Sequence, residues 1–383
     1  MEEIKEFLKT RSAEGLLRKL RPASGRRSGL IQLGGKEYVD FSSNDYLGLS
    51  NHPALIEAAK EASDKYGVGS SGSRLLSGDN DIYHKLEEKT AEFKGKEKAL
   101  VFNSGYQANV GILSALYGEG DVIFSDKLNH ASIVDGLMLS GVKFFRFKHN
   151  DNAHLESLLE KERFKFKRAL IITETIFSMD GDRPDLKGLV ALKEKFDCAI
   201  MVDEAHATGI FGPRGSGIVE AEGLTDKIDL IMGTFGKALG SFGAYLASSG
   251  DVIDYMVNKC RSFIYSTALP PATIACNLAG IELVKKEPHR RQELLRSAEY
   301  LRNILKERGF DVNGSSQIIP VIIGDNNKTV KAAEALQAKG YWVLPIRPPT
   351  VPQGEARLRF SLSFDHKTTV LKRLADDISQ IGI

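Results

Sequence analysis

Cysteine is scarce in this chain: 383 residues include three, Cys198, Cys260 and Cys276. They form no CxxC pair and no metal-ligand cluster, which argues against zinc or any other bound metal. Cys198 lies in the apolar run CAIMV, where a buried thiol is expected. Reduced thiols fit a cytoplasmic setting. Net charge is nearly absent at +2, which argues against a nucleic-acid field over the whole surface. A local basic patch for an anionic small molecule is compatible with that balance. No uninterrupted apolar stretch of about 18 residues occurs, so no membrane span is expected. The opening residues, MEEIKEFLKTRSAEGLLRKLRP, run acidic and then basic without an apolar segment, so no signal peptide is expected either. There is no internal repeat and no low-complexity tract.

The composition that remains is globular, 42% hydrophobic and 27% charged. The length allows one large core and a smaller second domain. Residues 2 to 20 read as an amphipathic helix, with Ile4, Leu8, Leu16, Leu17 and Leu20 near helical spacing. Pro22 ends it, and Ser24 to Gly29 read as a loop. From about residue 45, short β-branched runs alternate with amphipathic stretches. The runs are KALVFNS (98–104), DVIFSD (121–126), VKFFRFK (142–148), ALIITET (169–175), CAIMVDE (198–204) and DLIMGTF (229–235). Apolar strands alternating with helices imply a mostly parallel sheet covered on both faces, with its active site at the carboxyl ends of the strands. After Pro270-Pro271 a helix-rich segment runs to about residue 308, followed by QIIPVIIGD, YWVLPIRPP and RLRFSLSF. The expected organisation is an N-terminal arm and segment (1–44), a large α/β domain (45–275) and a small C-terminal α+β domain (276–383).

Two glycine-rich loops invite a nucleotide reading and fail it. GVGSSG (67–72) matches GxGxxG but follows a helical stretch instead of a strand. GTFGKA (233–238) has Ala238 where a Walker A loop needs Ser or Thr. The informative constellation is Asp203, His206 and Lys237. Asp203 ends the apolar run AIMVD, and Lys237 follows the next run, DLIMGTF, among the small residues Gly236, Ala238 and Gly240. Taken singly, the first reads as a helix cap or loop acid and the second as a surface lysine. Together they place an acid and an amine at the ends of consecutive strands. Pyridoxal-phosphate (PLP) chemistry needs those parts: an amine to carry the cofactor and a carboxylate at the pyridine nitrogen. Its phosphate needs hydroxyls and backbone N–H groups at a helix start. Thr234 and the strand–turn–helix segment NSGYQAN (103–109) can supply them.

The segments DEAHATGIFGPRGSG (203–217), TFGKALGSFG (234–243), FNSGYQANVG (102–111) and LNHASIVDG (128–136) resemble the α-oxoamine synthases. So do SSNDYLGLSNHP (42–53), FIYSTALPPA (263–272) and IRPPTVP (346–352). These are fold-type I (aspartate aminotransferase-like) PLP enzymes that join an amino acid to an acyl thioester with loss of CO2. The resemblance spans nearly the whole chain. It implies a PLP-dependent acyltransferase and a homodimer with its site at the interface, built from a large α/β domain and a small C-terminal one. Lys237 would be the cofactor lysine and the base for the α-proton. Asp203 would pair with the pyridine nitrogen, His206 and Ser178 would bond the ring oxygen, and His130 would stack on the ring, although a histidine in LNHAS also reads as a helix cap. Gly105, Tyr106 and Thr234 would bind the cofactor, and Ser266 and Thr267 would reach the phosphate of the partner subunit. Asn44, His130, Thr350 and Arg359 would line the substrate site, and Arg18 would meet the acyl substrate. Arg357 and Arg359 share a strand face by period two, and the resemblance selects Arg359 as the carboxylate clamp. Relatives within the family differ in using alanine or glycine and in acyl length; a methyl group is worth only ~1–3 kcal/mol, and no single residue decides between them. A PLP-fold regulator without turnover would add a DNA-binding domain or lose the lysine, and neither applies here.

Overall fold

The computed structural model describes residues 1–14 and 16–382. The chain forms two compact units, one of residues 47–178 and 182–292, the other of residues 1–46, 179–181 and 293–383. In chain order, β1 (Ala23–Arg27), β2 (Leu30–Leu33) and β3 (Lys36–Asp40) come first. Then follow β4 (Lys98–Phe102), β5 (Val122–Asp126), β6 (Lys143–Phe147), β7 (Ala169–Glu174), β8 (Ala199–Asp203), β9 (Leu230–Thr234) and β10 (Ala244–Ser248). The last are β11 (Ile318–Gly324), β12 (Tyr341–Trp342), β13 (Pro345–Ile346) and β14 (Ala356–Ser361).

In the larger unit β4 to β10 form one sheet in the order β4-β10-β9-β8-β7-β5-β6. The run from β6 to β9 is parallel, and β10 lies antiparallel between β9 and β4. Each of the six apolar runs read from sequence is a strand of this sheet. β5, β7, β8, β9 and β10 are buried at nearly every position, as a sheet covered on both faces requires. The chain has an α/β fold with a seven-stranded, mostly parallel core, and helices Gly105–Leu116 and Leu186–Lys195 fall where the helical periodicity placed them. β10 was not read as a strand. Its sequence, AYLAS, is short and follows the glycine-rich lysine turn, so the loop signal masked it.

The smaller unit holds a four-stranded sheet, β1-β2-β3-β12, and a three-stranded antiparallel sheet, β11-β14-β13. Two sequence readings change here. Ser24 to Gly29 is mostly the hairpin strand β1, turned into β2 at Ser28 and Gly29, which have φ of 51° and 73°. Paired positive φ matches the twist of an antiparallel ribbon, and the exposed arginines of β1 gave no apolar alternation to detect. The N-terminal helix spans Glu2–Ala13 and buries no residue, so it stops short of residue 20. Leu16, Leu17 and Leu20 instead line a cavity with Ile31, Trp342 and Leu344, with Leu20 fully exposed.

One polar cluster ties the carboxyl ends of β5 to β7 together. His149 Nδ1 lies 2.9 Å from Asp126, its Nε2 lies 2.9 Å from Asp182, and its ring meets Phe177 edge-on. Burial opposes the imidazolium, but two carboxylates on opposite ring nitrogens outweigh it and push the pKa up to about 10. A folded-state pKa above the unfolded value gives stability that is fully present below about pH 6.5 and is lost as pH rises through the folded value. His149→Gln is therefore expected to destabilise the protein by about 1–3 kcal/mol near pH 6. The gap to wild type in denaturant unfolding should close as pH approaches 10; a gap independent of pH would refute this reading.

Candidate active site

Parallel pairing in register brings three side-chain positions to one edge of the sheet. Glu174 at the end of β7 pairs with Asp203 at the end of β8, and Asp203 pairs with Met232 on β9. Asp203 is 5% exposed. Its Oδ2 accepts from Asn109 Nδ2 at 3.0 Å, and its Oδ1 accepts from the Ala205 N–H at 2.8 Å. The chain then closes a tight turn, in which the Glu204 carbonyl accepts from the N–H groups of Ala207 and Thr208. That turn aims the buried His206 ring at Lys237, and His206 Nε2 stands 2.8 Å from Lys237 Nζ.

The lysine turn is closed by its own backbone. Phe235 N–H donates to Gly243 O, Ser241 N–H to Phe235 O, and Gly240 N–H to Lys237 O. Thr234 reinforces it: its hydroxyl donates to Gly243 O at 2.7 Å and accepts from Gly236 N–H at 3.1 Å. Ser178 lies at the end of the segment that follows β7.

His130 performs the plainer of its two sequence readings. It caps helix Ala131–Ser140, with Nδ1 accepting from the Ser132 N–H. Burial pushes its pKa down, with Lys237 adding to that and Asp203 opposing it. A neutral ring whose Nδ1 accepts must carry its proton on Nε2. Capping thereby fixes the tautomer and leaves an Nε2–H donor, which is compatible with stacking on a cofactor.

Two residues of this cluster were not picked out from sequence. Glu174 Oε1 accepts from the His130 N–H at 2.6 Å. Burial raises its pKa well above the usual carboxylate range, and the neighbouring Asp203 adds to this. Asn109 bridges Asp203 and Ser132 through one amide nitrogen. The available signals were Glu174 ending ALIITE as Asp203 ends AIMVD, and Asn109 closing the quoted SGYQAN segment.

Helix Gly105–Leu116 begins in the same unit, capped by Ser104, whose side chain accepts from the Gln107 N–H. A Cβ at Gly105 would meet only Met232 Cε, 4.0 Å away, so there is open space over the first turn. Gln107 reaches Ser266 Oγ at 2.8 Å, and Asn103 Nδ2 donates to the Thr267 carbonyl, so both residues lie beside this helix start. Tyr106 donates its hydroxyl to Asp135. An amine, a buried carboxylate, an imidazole and a helix N-terminus are the parts PLP requires, and these residues fit it.

Of the expected substrate residues, His130 lies in the larger unit, and Arg18, Asn44, Thr350 and Arg359 lie in the smaller one. Arg359 on β14 is 8% exposed and donates to Asn44 Oδ1 (3.3 Å), Tyr46 Oη (3.4 Å) and Ser361 Oγ. Arg357 is committed elsewhere, to Asp180 and, at 2.8 Å, to Glu355. Two carboxylates therefore partner Arg357. Arg18 donates to Thr350 Oγ1 at 3.2 Å. Both line the cavity of about 730 Å³ that also holds Arg21, Arg26 and Arg347. Burial and the like charges of Arg18 and Arg11 lower the Arg347 pKa, so guanidinium groups converge there. No group of His, Cys, Asp and Glu suited to a metal occurs among the described residues.

Residues 36–378 match the family model of aminotransferase class I and II. The 8-amino-7-oxononanoate synthase of Geotalea daltonii is 47% identical over 385 aligned positions, covering 100% of this chain and 98% of that one. A variant of serine palmitoyltransferase from S. paucimobilis, solved with a bound PLP–myriocin aldimine, superposes with a TM-score of 0.93 at 30% identity, over 99% and 96% of the two chains. The crystal structure of 8-amino-7-oxononanoate synthase from Francisella tularensis gives 0.79 at 28% identity, over 90% and 97%. On this sheet, this cluster of lysine, aspartate and histidine, and these relationships, the chain belongs to the aminotransferase class I and II family, among its PLP-dependent α-oxoamine synthases.

Proposed function

We propose that this chain condenses L-alanine with a pimeloyl thioester, on CoA or on acyl carrier protein. The products are 8-amino-7-oxononanoate, CO2 and the free thiol, and the step belongs to biotin biosynthesis. The observation that carries the reading is the Lys237–His206–Asp203 cluster, in a chain 47% identical throughout to a synthase of that name. PLP, when bound, supplies the electron sink for the carbon next to the amino group. Lys237 Nζ would hold the cofactor and, once freed, would take the α-proton of alanine. Asp203, His206, Ser178 and His130 would hold the cofactor ring, Gly105, Tyr106 and Thr234 its phosphate, and Thr267 would serve the phosphate of a partner subunit. The His130 Nε2–H would polarise the thioester carbonyl as the new C–C bond forms and the thiol leaves. Loss of CO2 and return of a proton from Lys237 complete the turnover. Arg359, with Asn44 and Thr350, orients the alanine carboxylate, and Arg18 meets the acyl group.

A homodimer is supported by apolar side chains left in the open on loops of the larger unit: Leu76 is 82% exposed and Tyr265 72%. No helix of the described residues is long and apolar enough to cross a membrane, and cytoplasmic residence agrees with a biosynthetic role.

Recording CoA release with alanine or glycine and with pimeloyl-, acetyl- or succinyl-CoA tests the assignment. Alanine with pimeloyl-CoA should be fastest; glycine with a shorter donor winning would move the chain to a sister activity such as glycine C-acetyltransferase. Lys237→Ala is expected to abolish both turnover and the visible absorbance of the lysine-bound cofactor. Asp203→Asn should keep the cofactor but lower kcat by roughly 100-fold or more. Arg359→Lys removes a charge-assisted hydrogen bond of about 1.5–3 kcal/mol, so KM for alanine should rise about 10- to 100-fold. An unchanged KM would remove Arg359 from the carboxylate site.

A further inference from the structure

On the far side of the β8 end from the cofactor residues sits an ion pair with both side chains 0% exposed: Lys94 Nζ lies 2.6 Å from Glu204 Oε2. Lys94 ends helix Asp81–Lys94 and also donates to the Ser216 carbonyl and, at 3.5 Å, to Thr208 Oγ1. Glu204 Oε1 accepts from the Val219 N–H at 2.9 Å. Thr208 Oγ1 in turn lies 2.8 Å from the hydroxyl of Tyr245 on β10. Nothing in the proposed reaction uses these groups. Two charges taken wholly out of water are costly, and a pair of apolar side chains would fill the space more cheaply. Their placement supplies the reason for them.

Asp203 and Glu204 are consecutive at a strand end, so their side chains leave on opposite faces. Asp203 takes the cofactor side and Glu204 the Lys94 side. The Glu204 carbonyl closes the turn that carries His206, accepting from Ala207 N–H, Thr208 N–H and Thr208 Oγ1. The other end of the network reaches the lysine strand. At Gly233, one residue before Thr234, a Cβ would stand 2.2 Å from Tyr245 Oη and 3.0 Å from Thr208 Oγ1. Gly217 is fitted as closely: a Cβ there would come 2.3 Å from Glu204 Oε2. The network therefore touches both backbone segments that bring His206 and Lys237 together.

We propose that Lys94 and Glu204, acting through Thr208 and Tyr245, are positioning residues that set the approach of His206 and Asp203 to Lys237. The ionisable groups facing the pair are Tyr245 from β10 and the partners themselves. Burial works against the Lys94 charge, and Glu204 and Tyr245 outweigh it, so the Lys94 pKa is raised. The proposal rests on the functional reading above only in taking Lys237 as the PLP lysine.

The test uses the PLP holoenzyme and the double variant Lys94→Met with Glu204→Gln, which removes both charges at similar volume. The readouts are the pH titration of the cofactor absorbance band, cofactor loss on dialysis, and kcat and KM for the amino acid. Positioning predicts a titration midpoint moved by ~0.5 pH unit or more and kcat lowered roughly tenfold, with KM changed less than about twofold. A variant that melts earlier but keeps the wild-type titration and kcat overturns the proposal and leaves the pair structural. Should the double variant not fold, Tyr245→Phe removes one hydroxyl from the relay and is read in the same way: a moved midpoint supports the proposal and an unmoved one overturns it. A wild-type holoenzyme without a cofactor band would instead refute the role of Lys237, which separates the two failures.

Discussion

Burying a carboxylate at the end of a parallel strand is the constraint on which the rest of this molecule depends. Asp203 is almost out of water, and an unsolvated charge must find partners. Asn109 and the Ala205 N–H supply two from the protein. Each carries a structural demand. Asn109 must come from a helix packed directly on the sheet, which places the N-terminus of Gly105–Leu116 beside the same strand edge. The Ala205 N–H requires the chain to turn at once, and that turn brings His206 to Lys237. One buried acid thus draws the amine, the imidazole and the helix start into one neighbourhood, each through a hydrogen bond that would be lost if the neighbour moved.

The neighbouring carboxylate follows a different rule. Glu174 lies directly across from Asp203, and two adjacent buried carboxyl groups do not both ionise readily. Burial and the neighbouring Asp203 raise the Glu174 pKa, and its Oε1 grips the His130 backbone N–H. His130 is then held at both ends, by Glu174 through its backbone and by Ser132 through Nδ1. The ring cannot turn without losing a helix cap, which gives the imidazole one tautomer and one orientation. The capping and stacking readings of this histidine are therefore complementary.

The large sheet was legible because continuous apolar runs and amphipathic helices alternate there without ambiguity, and because Asp203 and Lys237 end adjacent runs. What escaped the reading lacked a periodic signal. β1 is a ribbon of exposed arginines, and β10 hides behind a glycine-rich turn. The leucines after residue 15 mimic a helix stripe but line a cavity. Glu174 and Asn109 escaped because a single polar residue beside an apolar run looks the same whether it caps, solvates or organises a site. Period two alone made Arg357 and Arg359 equivalent, and only their partners separate them: carboxylates for one, an amide and hydroxyls for the other.

That contrast separates the two arginines of β14 by the work each does in the fold. Arg357 carries its own counter-ions, so its charge is largely cancelled and it works as a brace between Glu355 and Asp180. Arg359 donates to an amide oxygen and to hydroxyls, those of Asn44, Tyr46 and Ser361. A guanidinium held nearly buried by several hydrogen bonds has already spent its side-chain freedom in the fold. Arg347 obeys a different rule: it shares a cavity with Arg18 and Thr350, and burial together with the like charges of Arg18 and Arg11 lowers its pKa, so the closeness of these arginines works against the charge of Arg347.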